Sequence, residues 1–364
     1  MNIILTGGHA ATTAVAVVEE IISRKKPWKL FFIGARSAIE GKNIATLESE
    51  VMPRLGVEFL PLSSGRLQRK FTRWTIPALF RTPFGIFQSF YYLLKHSPKA
   101  VLSFGGYTSF PVVFTAWLLR IPVVLHEQTA AAGRANIASA KFASKITLAR
   151  EESLQYFPLT KSVVTGNPVM RDIAKTGIKK EISRPSSLFV TGGSRGSQSI
   201  NEVLEKCLTD LLSKHKVCHQ TGDLDFARFS HIKSKLPPKL SANYQIFPRI
   251  DPLKISETYK SADVVISRAG ANTVSEIISL KRPAILVPLP ISYLDEQTKN
   301  AEFARSFGLA VIIPQKDLTA KRLVDEIDNV FLRLPEILKK AEKKEIPDRK
   351  AAQVLVDVVA KFVK

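Results

Sequence analysis

The sequence has little of what metal centres and disulfide frameworks require. Its two cysteines, Cys207 and Cys218, have ten residues between them, which fits neither a CxxC metal half-site nor a disulfide framework. A reducing compartment is the simpler expectation. HExxH is also missing, which argues against metal hydrolysis of the zincin type. We therefore expect neither a metal nor a cofactor.

The sequence also has no long apolar run, and its first residues do not resemble a secretory signal. The longest nearly apolar run, residues 110–119, is far shorter than the roughly 18 residues that span a bilayer. No basic region precedes the first apolar run, so the chain does not begin like a secreted protein. These features predict a soluble, cytosolic protein.

Acidic residues are too few to balance the basic ones. The 364-residue chain has 53 Lys and Arg against 32 Asp and Glu, a net charge of +21, with an ordinary apolar fraction of 45%. Length and apolar content predict two globular domains. The charge predicts an anionic partner, and anionic lipid, nucleic acid and phosphorylated small molecules are all compatible with it.

One plan of strand, glycine turn and helix occurs once in each half. Residues 2–5 lead through TGGH at 6–9 into a helix over 10–22, and residues 187–190 lead through TGGSRG at 191–196 into a helix from about 197 to 212. Further apolar runs at 30–33, 100–103, 123–125, 244–246, 263–266 and 283–287 are typical of buried parallel strands. The pattern predicts an α/β protein of two similar domains, divided near TGNP at 165–168.

The second half offers three polar segments that follow strands. TGGSRGS at 191–197 can present backbone N–H groups to a diphosphate, although a structural turn is an equal alternative. It is neither GxGxxG nor a P-loop. SRAGANTVSE at 267–276 ends on an acid that can accept hydrogen bonds from a ribose diol, or that is merely favourable in a first helical turn. With LDEQTKN at 294–300, the three strand ends predict one crevice for a sugar nucleotide.

In the first half, SFGGYTS at 103–109 and HEQT at 126–129 follow strands in the same way. A buried histidine at such a position is either a structural hydrogen-bonding residue or a catalyst. His9 lies in a glycine turn, where an accessible imidazole suits a general base, although a polar cap is the alternative.

Basic and aromatic residues alternate between residues 66 and 95. This mixture suits an anionic membrane surface, although residues 84–94 also fit a buried helix. Stacking on nucleic-acid bases is less favoured, because no nucleic-acid-binding motif accompanies the aromatics.

These motifs, in this order, resemble the MurG family of UDP-N-acetylglucosamine:N-acetylmuramyl-(pentapeptide) pyrophosphoryl-undecaprenol N-acetylglucosaminyltransferases. The resemblance runs through FGGYTSFPVV, IPVVLHEQTAAAG, VTGNPV, VTGGSRGSQSIN, SRAGANTVSEI, PAILVPLP and DEQTKNA. It implies a glycosyltransferase B fold with two Rossmann-like lobes and a cleft between them, and an inverting reaction without a bound catalytic metal. It also implies a peripheral protein on the cytoplasmic face of the bacterial plasma membrane, with no nucleic-acid partner.

The resemblance also implies roles for individual residues. The catalytic candidates are His9 and, second, Glu127. The expected contacts to UDP-N-acetylglucosamine are Ser194, Arg195, Gly196, Ile250, Ala271, Asn272, Thr273, Glu276, Glu296 and Gln297. The expected contacts to the polyprenyl-diphosphate-linked muramyl acceptor are Gly7, Gly8, Gly105, Gly106, Tyr107, His126, Gln128 and Thr129. The expected membrane contacts are Arg73, Trp74, Leu79 and Phe80.

Residues 1–164 are expected to form the acceptor-side and membrane-facing domain, and residues 165–345 the UDP-sugar domain. A C-terminal helix over about 346–364 is expected to pack back on the first. Departures from the family pattern concentrate on the acceptor side: the first glycine loop is shorter, Thr129 replaces an asparagine and Met170 an arginine, while Arg195 replaces a glutamine on the donor side. A transferase with another lipid-linked acceptor is therefore one alternative. A sugar-nucleotide epimerase and a non-catalytic membrane or RNA-binding module are others.

Overall fold

The computed structural model describes residues 1–8, 11–39, 42–63, 75–179 and 181–363. Its strands are β1 (Asn2–Thr6), β2 (Lys29–Gly34), β3 (Ser37–Ile39), β4 (Lys42–Ala45), β5 (Glu58–Pro61), β6 (Ala100–Ser103), β7 (Val123–Glu127), β8 (Lys145–Leu148), β9 (Ser162–Val164), β10 (Ser186–Thr191), β11 (His215–Gln220), β12 (Tyr244–Phe247), β13 (Val264–Ser267), β14 (Ala284–Leu286) and β15 (Ala310–Ile312). Its α-helices are α1 (Ala11–Ser23), α2 (Leu47–Arg54), α3 (Thr75–His96), α4 (Ser109–Leu118), α5 (Arg134–Ala140), α6 (Arg171–Lys175), α7 (Gln198–Lys214), α8 (Phe226–Lys235), α9 (Pro238–Ser241), α10 (Ile255–Ser261), α11 (Ala271–Leu280), α12 (Glu296–Ser306), α13 (Ala320–Leu332), α14 (Leu334–Glu342) and α15 (Asp348–Ala360).

The chain forms two compact units. Unit 1 comprises residues 1–171 and 347–364, and unit 2 comprises residues 172–346. The division falls after Arg171, a few residues beyond the boundary expected from the sequence. The helix α15 lies in unit 1 and packs on α1, where Arg24 bonds to Asp357.

Unit 1 is built on a parallel sheet with the order β5-β2-β1-β6-β7-β8-β9 in its described part. The central strands β1, β6 and β7 are buried except at Asn2, and most of their residues are apolar, as expected for strands covered by helices on both faces. The short strands β3 and β4 pair antiparallel with each other. Because the sheet is parallel, β1, β6 and β7 all end at one edge, which places TGG, SFGGYTS and HEQT side by side.

Unit 2 repeats the plan with the parallel order β12-β11-β10-β13-β14-β15. Its core joins apolar residues of β10, β13 and β14 to α7 and α13, with Leu204, Leu208 and Ile327 among the buried residues. The strands β10, β13 and β14 are neighbours, so the three polar segments that follow them lie along one edge of the sheet.

Candidate functional site

Two glycine segments interlock at the carboxyl edge of the unit 1 sheet. The amide of Gly8 donates to the carbonyl of Gly105 at 2.9 Å, and the Thr108 hydroxyl donates to the carbonyl of Gly7 at 3.0 Å. Gly106 has φ +89°, and a Cβ there would lie 2.9 Å from the carbonyl oxygen of Gly8. Only glycine allows this approach, so the two loops form one rigid backbone surface.

Gln128 adds a third strand end to this surface. Its Nε2 donates to the carbonyl of Phe104 at 3.1 Å, which ties the segment after β7 to the segment after β6. Tyr107 is half-buried beside the loops, and its Cε1 lies 4.0 Å from the Cβ position of Gly8. The structure therefore brings together the expected acceptor residues that follow β1, β6 and β7.

Glu127 organises the loop that follows β7. Its Oε1 accepts from the amide and hydroxyl of Thr129 at 3.2 and 3.0 Å, and its Oε2 accepts from Gly133 N at 2.9 Å and Asn136 Nδ2 at 2.8 Å. Burial raises the pKa of Glu127, and the four donors oppose that rise. A carboxylate engaged by four donors is suited to hold the start of α5, which begins after Gly133.

His126 has no exposed surface. Its Nδ1 lies 3.0 Å from Thr147 Oγ1 and its Nε2 lies 3.3 Å from Asn167 Oδ1. Burial lowers the pKa of His126 to about 4, so the ring is neutral near pH 7. The structure thus fits the structural interpretation of this histidine, because both ring nitrogens already face protein partners.

The other first-half candidates fall partly outside the described residues. His9, Arg73 and Trp74 lie outside them, and Leu79 and Phe80 belong to α3 with side chains that are not described.

The helix α3 corrects one interpretation of the sequence. Residues 84–94 were open to assignment as a buried helix, but the buried stripe is made by Gly85, Ser89 and Leu93. Gly85 and Ser89 are small and allow close packing, and Ser89 Oγ donates to the carbonyl of Gly85 at 2.7 Å. The opposite side, here called the aromatic face, consists of Phe84, Phe87, Phe90, Tyr91 and Leu94 and is exposed, with Phe87 75% accessible. The buried alternative is therefore wrong for this face.

The surface near α3 is extended by α4, which packs against it. Trp117 and Leu118 are exposed at the end of α4, and the Trp117 ring lies 5.0 Å from that of Phe142. Lys95 Nζ lies 5.7 Å from the Tyr91 ring. Between Glu58 and Glu127 the sequence contains eight Lys or Arg and no acid. The aromatic face is thus part of a region without compensating negative charge in the sequence.

In unit 2, the loop of residues 191–197 leaves Ser194 and Arg195 exposed. Gly196 has φ +74°, and a Cβ there would lie 2.1 Å from the carbonyl oxygen of Thr221. Gly193 N donates to Thr191 Oγ1 at 3.0 Å. The loop is held by its own backbone and by the turn after β11, while its tip stays open to a ligand.

Arg268, at the end of β13, connects this loop to the neighbouring strand ends. Its Nε donates to Ser197 Oγ at 2.9 Å, and its Nη2 donates to Ser199 Oγ and Gln315 Oε1 at 2.6 and 2.7 Å. Its Nη1 donates to the carbonyl of Val287 at 3.1 Å. All of these acceptors are neutral, so none of them compensates the positive charge that Arg268 places beside the start of α7. The segment 267–276 marked by the sequence includes Arg268, and Ser199 lies in the motif VTGGSRGSQSIN, but no motif marks Gln315.

The helix α11 begins directly after β13, and Ala271, Asn272 and Thr273 are half-buried in its first turn. One turn further, Glu276 is only 5% exposed. Burial raises the pKa of Glu276 to about 7, while the nearby Tyr259 hydroxyl favours the charged form. The glutamate is therefore a buried acid behind an open helix N-terminus, not a solvated first-turn residue.

Gln297 lies in the first turn of α12, in the polar segment that follows β14. Its Oε1 accepts from Leu289 N at 3.0 Å, and its backbone amide donates to Ser292 Oγ at 3.2 Å. The preceding Leu294 and Asp295 both have positive φ, at 52° and 55°, which L-residues adopt at a cost. Glu296 is the first residue of the helix. Ile250 is half-buried three residues after the end of the edge strand β12.

Clusters of metal-ligating side chains and helices that could span a membrane are both absent from the described residues. Among these residues, no group of three or more His, Cys, Asp or Glu is placed to hold a metal ion. Nor does any helix within the described ranges have the length and apolarity to cross a membrane.

Comparison with known proteins places this geometry in a family. Residues 6–148 match the glycosyltransferase family 28 N-terminal domain, and residues 187–356 match the C-terminal domain of the same family. The UDP-N-acetylglucosamine–N-acetylmuramyl-(pentapeptide) pyrophosphoryl-undecaprenol N-acetylglucosamine transferase 1 of Bacillus cereus is 30% identical over 99% of this chain and 97% of its own length. The chain belongs to this transferase family. The transferase of that name from Clostridium botulinum is also 30% identical, over 91% of each chain.

Solved structures agree on the fold of this family member. MurG of Acinetobacter baumannii covers 99% of both chains with a TM-score of 0.68 at 24% identity. A UDP-GlcNAc 2-epimerase of Neisseria meningitidis gives 0.67 at 13% identity, covering 99% of this chain and all of its own. These likenesses confirm the predicted glycosyltransferase B fold. Because an epimerase shares it, the fold by itself does not separate the two activities.

Proposed function

We propose that this protein transfers N-acetylglucosamine from UDP-N-acetylglucosamine to the 4-hydroxyl of a polyprenyl-diphosphate-linked N-acetylmuramyl-pentapeptide, with inversion at the anomeric carbon. The carrying observation is that the three polar segments of unit 2 meet at one sheet edge, in a chain with full-length similarity to named transferases of this kind. That similarity favours transfer over the epimerase and the non-catalytic alternatives.

Unit 2 would bind the donor. The loop of residues 191–197, with exposed Ser194 and Arg195 next to Gly196, supplies side-chain donors to the diphosphate, and the start of α11 at Ala271, Asn272 and Thr273 supplies backbone donors. The Glu276 carboxylate accepts from the ribose hydroxyls, Ile250 presents its backbone to uracil, and Gln297 with Glu296 contacts the sugar. As the glycosidic bond breaks, charge develops on the departing UDP, and these donors stabilise it.

Unit 1 would bind the acceptor. The interlocked surface of Gly7, Gly8, Gly105 and Gly106, with Tyr107, Gln128 and Thr129 beside it, has no side chains at its glycines and lets the acceptor diphosphate approach the backbone closely. The 4-hydroxyl gives its proton to a base while its oxygen attacks the anomeric carbon opposite UDP. His9, outside the described residues, is the first candidate for that base.

Two earlier role assignments are replaced in this proposal. Glu127 was the second candidate for the base, and its four hydrogen-bond donors favour a role in holding the acceptor loop instead. His126 was expected to contact the acceptor, but its complete burial favours a positioning role behind the loop.

The aromatic face of α3 would rest on the cytoplasmic surface of an anionic membrane. Unit 1 has 25 Lys and Arg against 11 Asp and Glu, so it carries +14 of the net charge of +21. Anionic lipid attracts this charge, and exposed phenylalanine and tyrosine rings insert at the interface. The contact extends beyond the expected Arg73, Trp74, Leu79 and Phe80 to residues 84–94 and Trp117.

Transfer is tested by following UDP release and disaccharide formation with UDP-N-acetylglucosamine and a soluble lipid-linked muramyl-pentapeptide. We expect a β-linked product, and Glu276→Gln should raise the donor KM, while the matched change Glu257→Gln at an exposed acid on α10 should not. Product formation with a different lipid-linked sugar but not with the muramyl peptide would reassign the acceptor. UDP binding without any transfer would contradict the enzyme assignment.

Membrane binding is tested by sedimentation with vesicles of anionic or zwitterionic lipid. The double change Phe87→Ser and Tyr91→Ser removes two exposed rings and should weaken binding to anionic vesicles by about tenfold or more. Leu224→Ser is the control, because Leu224 is an 83% exposed apolar residue of unit 2. Equal binding by the double variant and the control would refute the membrane assignment of the aromatic face.

A further inference from the structure

Unit 1 contains a buried ion pair that the proposed chemistry does not use. Arg150 follows β8 and is 2% exposed, and Asp348 opens α15 and is fully buried. Their contact is bidentate, with Nη1 to Oδ1 at 2.7 Å and Nη2 to Oδ2 at 2.8 Å. A buried pair recovers little net stability after desolvation, so its use is better sought in what it positions.

The ion pair lies where the chain leaves unit 1 and where it returns. Asp348 is the second residue of the returning segment, and its Oδ1 also accepts from the backbone N of Asn167 at 3.0 Å, just before the departing segment. Gly166 has φ +81°, and a Cβ there would lie 2.9 Å from Asp348 Oδ1. Hydrogen bonds therefore join the segment before residue 172 to the returning segment at Asp348, and Arg150 joins Asp348 to the end of β8.

Asn167 connects the ion pair to the edge of the unit 1 sheet where the loops assigned to the acceptor lie. Its Oδ1 lies 3.3 Å from Nε2 of His126, and the His126 and Phe104 rings meet nearly perpendicular to each other, with centroids 6.4 Å apart. The carbonyl of Phe104 is the acceptor of Gln128 Nε2. A continuous buried path therefore runs from the ion pair to both of the loops assigned to the acceptor.

We propose that Arg150, Asp348 and Asn167 are positioning residues for the acceptor: they hold His126, and with it the loops after β6 and β7, in the geometry that binds the lipid-linked sugar. This inference rests on the proposed function. It assigns the buried ion pair to acceptor binding and gives it no part in donor binding.

Unit 2 provides a matched comparison. Its buried Asn201 places Oδ1 3.0 Å from Nε2 of the buried His219, and its Nδ2 donates to the carbonyl of Thr221, on which the loop at Gly196 packs. Asn167→Ala and Asn201→Ala are therefore the same substitution at two buried asparagine–histidine pairs. One supports the acceptor loops and the other supports the donor loop.

The experiment measures acceptor and donor KM separately for both variants in the full-length enzyme. Asn167→Ala should raise the acceptor KM about tenfold and leave the donor KM within about twofold, and Asn201→Ala should do the reverse. Arg24→Ala, which breaks the exposed ion pair of α15 with α1, should change neither KM. A general loss of stability would move both KM values together or lower only the melting temperature.

A second variant keeps the test decisive if Asn167→Ala folds poorly. Asp348→Asn removes the charge that Arg150 pairs with but retains an oxygen for the Asn167 amide, and it should give the same selective rise in acceptor KM. The inference is overturned if a folded variant leaves the acceptor KM unchanged, or raises both KM values equally. Absence of transfer by the unmodified enzyme would instead refute the proposed function, and it is seen before any variant is made.

Discussion

Glu276 offers the sharpest quantitative test of the donor site, because one substitution should improve stability and damage binding. The carboxyl group is 5% exposed, and burial raises its pKa from the usual 4.5 to about 7. Keeping this carboxylate charged in the folded protein lowers the free energy of unfolding. Such a cost is expected where a charged group binds a ligand and does not stabilise the fold. Glu276→Gln removes the charge and keeps the size of the side chain.

The expected effect on stability follows from the direction of the pKa change. Between pH 4.5 and about 7 the folded protein binds more protons at this site than the unfolded chain does, so the free energy of unfolding falls as pH rises through that window. At 1.36 kcal/mol per pH unit, the rise from 4.5 to about 7 corresponds to about 3 kcal/mol. We expect Glu276→Gln to unfold at higher urea concentration than the unmodified protein at pH 8, and the two proteins to converge toward pH 4.

Donor binding should show the opposite preference. Ribose hydroxyls donate to a carboxylate, so only the charged form of Glu276 is competent, and the apparent Kd rises as that fraction falls. With a pKa of about 7, UDP-N-acetylglucosamine should bind about tenfold more weakly at pH 6 than at pH 8. Calorimetry with Glu276→Gln should show weaker binding that does not vary over this range.

The control is Glu257→Gln, an exposed acid on the neighbouring α10. It should behave like the unmodified protein in both measurements. The reasoning fails if Glu276→Gln is no more stable than the unmodified protein at pH 8, or if donor affinity of the unmodified protein is the same at pH 6 and pH 8.

Three backbone predictions follow from positive φ angles. Gly196→Ala should weaken donor binding and cost about 2 kcal/mol or more of stability, whereas Gly193→Ala, with φ +80° but no atom within 4 Å of its Cβ position, should cost only about 1 kcal/mol; equal urea midpoints would contradict the steric argument. Gly106→Ala should raise the acceptor KM and not the donor KM, because its Cβ would meet Gly8; steady-state kinetics with each substrate varied decides this. Leu294→Gly should relieve left-handed strain and raise the urea midpoint, with a gain of up to about 1 kcal/mol; a lower midpoint would show that the leucine side chain matters more than its φ.

Much of the fold was predictable because parallel strands read as continuous apolar runs. The run at 100–103 coincides with β6, and the runs at 123–125 and 244–246 fall within β7 and β12. The strands β8 and β11 were not predicted, because β8, KITL, mixes polar and apolar residues, as does β11, HKVCHQ. Its two histidines are buried by pairing with side chains distant in sequence, which local patterns do not report.

The sequence predicted where the site lies in the fold, but it did not predict the role of each residue in it. Strand ends marked the segments assigned to the donor and the acceptor, since that placement depends only on topology, but they did not mark the turn after β11 or Gln315 after β15. Glu127 and His126 showed the limit: whether an acid or an imidazole faces a ligand or the interior depends on partners such as Asn136 and Asn167, which are 9 and 41 residues away. For residues 84–94 the sequence left a membrane-facing surface and a buried helix both open, because a local pattern does not show that α3 packs through Gly85 and Ser89.

The two buried histidines, His126 and His219, bear on how the pH dependence of donor affinity is interpreted. Burial lowers the pKa of His126 to about 4 and that of His219 to about 3, so both rings are neutral throughout the range from pH 6 to 8. Their asparagine partners then see the same hydrogen-bonding group at every pH in that range, and the loops they support do not titrate. A change in donor affinity over this range would therefore be assigned to Glu276, and its loss in Glu276→Gln would confirm that the carboxylate, not the scaffold behind it, carries the effect.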